Sequence, residues 1–224
     1  MVVLALDTTT RAGSCALARD GAVMLERSSD TAEHVSTLPR DLMMLLDEAG
    51  VGLASVDVFA VATGPGSFTG LRIGIATMQG LAFAGAKPLI GVSSLDALAR
   101  EAAATRTATW IDAWRGEVYA AVYEQGRVTR GPSVVHPADE LDAMRGGSTR
   151  FIGDGAAIYR EQIARTMGDE ATFATPVAPL LAATVARLAD EAAGRGECPP
   201  PHAIRPLYVR RSDAELVRDA RANR

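Results

Sequence analysis

Asp7-Thr8-Thr9-Thr10 closes an apolar run near the N-terminus and sets a carboxylate beside three hydroxyls. A carboxylate so placed can hold a hydrated cation, and hydroxyls with backbone N–H groups can take phosphate oxygens. A polar turn that only ends a strand explains the same four residues. Gly64-Pro65-Gly66-Ser67-Phe68-Thr69-Gly70 is a second candidate. Its glycines allow close backbone approach, and Ser67 or Thr69 can cap the helix that follows. A helix N-terminus offers unpaired N–H groups to an anion. No Lys-Ser/Thr follows, so this is not a Walker loop. A tight turn without a ligand is the plain alternative. A third stretch, Ile111-Asp112-Ala113-Trp114-Arg115-Gly116-Glu117-Val118-Tyr119, mixes charge with aromatic rings. Arg115 and Glu117 could pair across a cleft, mark a partner surface, or sit on a solvated hairpin.

Other chemistries lack their residues. His34, His136 and His202 are widely separated, with no HxxxH or HExxH, so no metal-ligand cluster is visible. No Ser-His-Asp or Cys-His set can be placed, and His34 fits a surface or interface position. Cys15 and Cys198 form no CxxC pair, which suits a reducing cytoplasm. The net charge is −4, and Lys/Arg clustering is confined to the tail, Arg210-Arg211 with Arg218, Arg221 and Arg224. That argues against a chain that grips nucleic acid alone. The opening MVVLALDTTT lacks the basic region and cleavage site of a signal peptide. No apolar stretch is long enough to span a bilayer, and a soluble cytoplasmic protein is expected.

The elements that must position these residues follow from apolar periodicity. Val2 to Leu6 reads as a buried strand, Ser14 to Ala18 as a second, and Val23 to Glu26 as a third after an Asp20-Gly21 turn. Leu38, Leu42, Leu45, Leu46 and Ala49 recur at helical spacing within Asp30 to Ala49, with an irregular start at Pro39. Val56 to Ala62 is a strand, Leu71 to Ala84 a helix, Leu89 to Val92 a strand, and Leu95 to Ala104 a helix capped by Ser93-Ser94. Thr109 to Asp112, Val118 to Tyr123 and a strand opening at Val128 begin a second half. A constant offset of about 105 positions sets Leu6 on Ile111, Asp7 on Asp112, Ala16 on Ala121, Leu17 on Val122 and Gly21 on Gly126. Phe151 to Gly155 is a strand entering a Gly turn, and Leu180 to Ala193 a helix. Beyond the stiff Pro199-Pro200-Pro201 linker, Arg205 to Tyr208 is extended and Asp213 to Ala222 reads as a charged helix.

The chain therefore reads as α/β, two βββαβα lobes facing across a cleft, residues 1–104 and 105–224. Apolar residues make up 48% and aromatics only 5%, so the core must close by tight small-residue packing. The helix from Leu71 carries Gly70, Gly74, Ala76, Gly80, Ala82 and Gly85 at its faces and ends. Glycine in a helix costs about 1 kcal/mol relative to Ala, so close approach of another element is expected. Packing within the chain and a helical bundle shared between two chains both remain open.

Taken in order, Leu4-Ala5-Leu6-Asp7-Thr8-Thr9, the GPGSFTGLRIG segment from Gly64, Gly91-Val92-Ser93-Ser94-Leu95, Ile111-Asp112-Ala113 with Arg115 to Tyr119, and Pro206-Leu207-Tyr208-Val209-Arg210 closely resemble the TsaB/YeaZ family of tRNA threonylcarbamoyladenosine biosynthesis proteins. The resemblance spans nearly the whole chain. It implies an actin/Hsp70/sugar-kinase-like (ASKHA) fold. It implies a non-catalytic role beside the related enzyme TsaD, with the ATPase TsaE as a further partner. TsaD transfers threonylcarbamoyl from threonylcarbamoyl-AMP to N6 of the adenosine just 3′ of the anticodon, in tRNAs reading codons that start with A.

The catalytic relative carries a metal-binding HxxxH where this chain has Ser94 and Leu98. A leucine ligates no metal, so no catalytic residue, metal or cofactor is expected. The resemblance puts the partner surface on the first two helices, about Thr31 to Ala49 and Ser67 to Ala84. His34, Leu38, Leu42, Leu45, Leu71, Gly74, Met78 and Leu81 are its candidate contacts, for TsaD or for a homodimer when alone, with tRNA reached only through the complex. A nucleotide or phosphate cleft would use Asp7, Thr8, Thr9, Gly64, Gly66, Ser67, Thr69 and Asp112. The competing reading is an enzyme in its own right, an ATP-hydrolysing member of the fold or an M22-type metallopeptidase.

Overall fold

The structure, a computed structural model, describes residues 1–28 and 34–210, with side chains over 1–28 and 38–210. The helix expected over Asp213 to Ala222 and the tail arginines after Arg210 lie outside the described residues.

Val2–Asp7 (β1) is almost wholly buried, as an unbroken apolar run covered on both faces should be. It pairs antiparallel with Ser14–Arg19 (β2), which turns into Ala22–Ser28 (β3). Asp20 and Gly21 at that turn have φ of 51° and 77°, the pair of positive values that matches strand twist in a type I′ hairpin. His34–Glu48 (α1) runs through Pro39 without a break. Val58–Gly64 (β4) and Leu89–Ser93 (β5) flank Phe68–Ala84 (α2) in sequence, and Ser94–Ala102 (α3) follows. α3 stops two residues short of the expected Ala104 because Ala103 turns left-handed, φ 45°. The sheet runs β3-β2-β1-β4-β5, with β4 parallel to β1 and β5 parallel to β4.

The second half repeats the arrangement. Arg106–Asp112 (β6), Val118–Glu124 (β7) and Arg127–Val135 (β8) form the antiparallel part. Pro137–Met144 (α4), Thr149–Ile152 (β9), Asp154–Ile158 (α5), Arg160–Met167 (α6), Ala171–Phe173 (β10) and Ala182–Gly194 (α7) complete it. The order β10-β9-β6-β7-β8 puts β6 where β1 stands in the first sheet. The first half thus carries one strand and one helix more than the expected βββαβα unit, and the second half one strand and two helices more. The duplication is one of topology, and the residue offset needs correction. Leu6 packs on the outer face of its sheet while Ile111 faces the centre of the molecule. Since side chains alternate, a one-residue slip inverts a strand. The offset of 105 positions holds the facing from β2 to β7 and inverts it from β1 to β6.

The two sheets are welded by exchanged helices. α3, from the first half, packs on β6, β7 and β9, while α7, from the second, packs on all five strands of the first sheet. One apolar cluster joins Val3, Ala5 and Ala60 to Leu95 and Leu98 of α3, Val185 and Ala189 of α7, and Tyr119 and Ala121 of the second sheet. The start of α7 is held by side chains of the first sheet. Ser14 Oγ accepts from the N–H groups of Leu181 (3.3 Å) and Ala182 (3.0 Å), and Glu26 Oε1 from that of Ala183 (2.8 Å). These are donors a helix cannot satisfy internally. Among the described residues no helix is long and apolar enough to cross a membrane.

Candidate functional site

At the end of β1 the buried Asp7 carboxylate is occupied by its own loop. Its Oδ1 accepts from the Thr9 N–H (2.8 Å) and hydroxyl (2.6 Å), and its Oδ2 from the Thr10 hydroxyl (2.8 Å). The Thr9 hydroxyl also pairs with Ser94 Oγ at 2.8 Å. The Thr8 hydroxyl donates to the Gly70 carbonyl at 2.7 Å. From the other side, Ser67 N donates to the Thr9 carbonyl at 2.9 Å, and Ser67 Oγ caps α2 by accepting from Gly70 N at 3.2 Å. A Cβ placed on Gly66, Gly70 or Gly74 would stand closer than 3.0 Å to Thr8 or Thr9. The glycines therefore admit the threonine loop against the first turns of α2. The side chains of Asp7, Thr8, Thr9 and Ser67, expected to line a phosphate cleft, thus make hydrogen bonds within the chain. Gly64 is buried beneath Leu71 and the Leu207 carbonyl, and Thr69 lies on the surface.

The end of β6 meets this loop through one arginine. Arg11 donates from Nη2 (2.6 Å) and Nε (3.3 Å) to Asp112 Oδ2, and its backbone N–H to Asp154 Oδ2 (3.3 Å). Asp154 Oδ1 accepts from Asp112 N at 3.0 Å. Burial pushes the Asp154 carboxyl above the ordinary carboxylate range, against the pull of the Asp112 and Arg11 N–H groups. A guanidinium carried by the loop after β1 thus lies on the strand-end carboxylate of the second half. Among the described residues no three His, Cys, Asp or Glu side chains gather to hold a metal. Ser94 and Leu98 are both buried, Leu98 among the apolar side chains between the sheets.

After Asp112 the chain turns sharply outward. Asp112 Oδ1 accepts from Trp114 N at 3.0 Å, and Trp114 and Arg115 both take positive φ, 55° and 56°. Non-glycine residues adopt that region at a cost. Both side chains reach the wall of a cavity of about 560 Å³, shared with Phe68, Thr69 and Arg72 of α2 and with a strap ending at Arg210. The strap is tied down by Leu207 N to the Thr63 carbonyl (2.7 Å), by Gln79 Nε2 to the Pro201 carbonyl (2.9 Å), and by an Arg210–Glu117 ion pair. Arg72 donates to the Tyr208 hydroxyl at 3.0 Å and lies 3.9 Å over the Phe68 ring. Phe68, Trp114 and Tyr208 lie far apart in the chain, and the spacing of residues within each segment does not bring them together. The signal each segment carries is an aromatic ring within four residues of an arginine: Phe68 with Arg72, Trp114 with Arg115 and Tyr208 with Arg210.

The candidate partner residues also need correction. Leu38, Leu42, Leu45, Leu71, Gly74 and Met78 are buried within this chain, the five apolar ones in the cluster between the outer helices and the first sheet. The apolar stripes of α1 and α2 are spent on their own sheet. Leu81 is half-buried, and the side chain of His34 lies outside the described residues. The outward face of the same helices carries Met44, 41% exposed, and Phe83, 83% exposed. Ala76, Gly80 and Ala84 lie exposed on the same face of α2 as Phe83, and a Cβ on Gly80 would meet nothing within 4 Å.

Comparison with known proteins fits this geometry. The family described as "TsaD: tRNA N6-adenosine threonylcarbamoyltransferase" matches residues 28–216. The tRNA threonylcarbamoyladenosine biosynthesis protein TsaB of Escherichia coli is 42% identical over 129 residues, 56% of this chain and 56% of that one, so the aligned part spans about half of the relative's length. YeaZ from Pseudomonas aeruginosa superposes with a TM-score of 0.75 at 36% identity, covering 92% of this chain and 100% of that one. At 12% identity, (R)-2-hydroxyglutaryl-CoA dehydratase component A of Acidaminococcus fermentans shares the fold, TM-score 0.57, over 87% of this chain and 99% of that one. The duplicated sheets with exchanged helices are thus the ASKHA fold, and by its match over residues 28–216 and its likeness to TsaB and YeaZ the chain belongs to the TsaB/YeaZ branch of the TsaD family.

Proposed function

We propose that this chain is a catalytically inactive subunit that supports TsaD, together with the ATPase TsaE, in placing threonylcarbamoyl on N6 of the adenosine 3′ to the anticodon. The observation that carries the reading is the Arg11–Asp112 contact at 2.6 Å. A guanidinium occupies the place where a phosphate-handling member of the fold would need open carboxylates and N–H groups. The threonine loop beside it is equally consumed, and Ser94 and Leu98 stand at the positions matched to the metal-binding histidines of TsaD. The same groups weigh against ATP hydrolysis or peptidase chemistry by this chain alone.

The chain then acts by contact. Its contact surface is the outward face of α1 and α2, where Met44, Phe83 and the small residues Ala76, Gly80 and Ala84 lie exposed. Small side chains let a partner helix approach closely, and a protruding aromatic supplies an anchor. The chain pairs through this face with TsaD, and with itself when alone, in the cytoplasm. Reconstitution tests the reading. TsaD, TsaE, ATP, threonylcarbamoyl-AMP and tRNA should give modified tRNA only when this chain is present, and the chain alone should give none. Transfer undiminished by its omission would refute the reading.

A further inference from the structure

The cavity between α2, the β6–β7 turn and the strap is absorbed by neither the fold nor the partner face. We propose that it receives an unpaired nucleotide of an RNA strand, with the base stacked on its exposed rings and the phosphate on Arg72. The chain carries a net charge of −4, yet among the described residues the cavity wall holds Arg72, Arg115 and Arg210 and no Asp or Glu. Arg210 is committed to Glu117 and the Ala113 carbonyl. Arg72 lies over the Phe68 ring with its Nε donating to the Tyr208 hydroxyl, and its terminal nitrogens have no hydrogen-bond partner among the described residues. A planar fork held in place suits one phosphate group.

Phe68, Trp114 and Tyr208 are each 40–44% exposed, although large rings are normally buried for their apolar area. Rings left open beside an arginine are the means by which proteins hold unstacked bases. About 560 Å³ is room for one nucleotide. A free nucleoside triphosphate fits less well. Its affinity comes from a cradle of N–H groups around the phosphate chain, and here Ser67 N and Gly70 N are already bonded to Thr9 and Ser67. One phosphate per base, as on a strand, matches the fork of Arg72. The inference deepens the proposed function, since it rests on a tRNA substrate and gives this subunit a direct contact with it.

The protein carries its own reporter. Of its two tryptophans, Trp110 is fully buried and Trp114 lines the cavity at 44% exposure. Tryptophan emission of the full chain is titrated with an unpaired heptameric RNA, with the same RNA in a duplex, and with ATP. Saturable quenching by the unpaired strand is expected, lost in Trp114→Phe and weakened by rising salt. Anisotropy of labelled RNA gives a second readout. Trp114→Ala and Arg72→Ala should each weaken binding by about tenfold, with Arg165→Ala on α6 unchanged and thermal unfolding of all three as in the parent. No quenching by the unpaired strand, or tighter quenching by ATP, would overturn the proposal. The titration needs no partner. Quenching without transfer in the reconstitution leaves this site standing while the functional reading fails, and transfer without quenching does the reverse.

Discussion

The Thr8 hydroxyl donates to the Gly70 carbonyl at 2.7 Å and fills the space that a Cβ on Gly74 would need. Two glycines one helical turn apart therefore face a loop of the same chain, where a repeated small-residue spacing had left a partner helix open as the occupant. Gly74→Ala should destabilise the protein by about 1–3 kcal/mol, the ordinary cost of overpacking. Thr8→Ala should cost about 1 kcal/mol for the lost hydrogen bond and clear most of the clash. Because the residues touch, the double variant should be less destabilised than the two losses added. Urea unfolding of the four proteins checks this; strict additivity would place Thr8 elsewhere. Leu42→Glu would likewise act on stability, because Leu42 is buried in the cluster beneath α1.

Glu140 lies in α4 with its carboxylate buried beside Arg130, N–O 3.5 Å. Burial raises its pKa above the ordinary carboxylate value, and Arg130 opposes this only in part. The folded chain thus holds the Glu140 proton more tightly than the unfolded chain does. Its contribution to stability therefore rises as pH falls from neutral through the raised folded value. Glu140→Gln removes that titration. The variant should be more stable than the parent at pH near 7.5, and the difference should shrink as the buffer approaches pH 4.5. A difference that widens on acidification would show that the Arg130 pair, rather than burial, governs the group.

Local chemistry made much of this fold legible. Asp20-Gly21 announces its hairpin because Asp and Gly accept the two positive φ values of a type I′ turn, and the matching turn of the second half carries Gly126 at its second position. The apolar run Val2 to Leu6 could only be a covered strand. The exchange of α3 and α7 between sheets was not legible, since an amphipathic stripe says that something covers it and not what. That ambiguity misassigned Leu42, Leu45 and Met78 to a partner when their own sheet covers them. The same limit hid the true outward face, because Gly80 and Gly74 look alike in sequence while one meets open space and the other meets Thr8. Arg11 carried no signal either: its place between the halves depends on Asp112, a hundred residues away in the chain.

Titration calorimetry of TsaD against this chain tests the contact account most directly. Phe83→Glu and Met44→Glu change exposed side chains, so both variants should melt as the parent does and bind TsaD at least about tenfold more weakly, as loss of an interface anchor requires. Parent-like affinity in both would mean that the outward face of α1 and α2 is not where this subunit meets its enzyme.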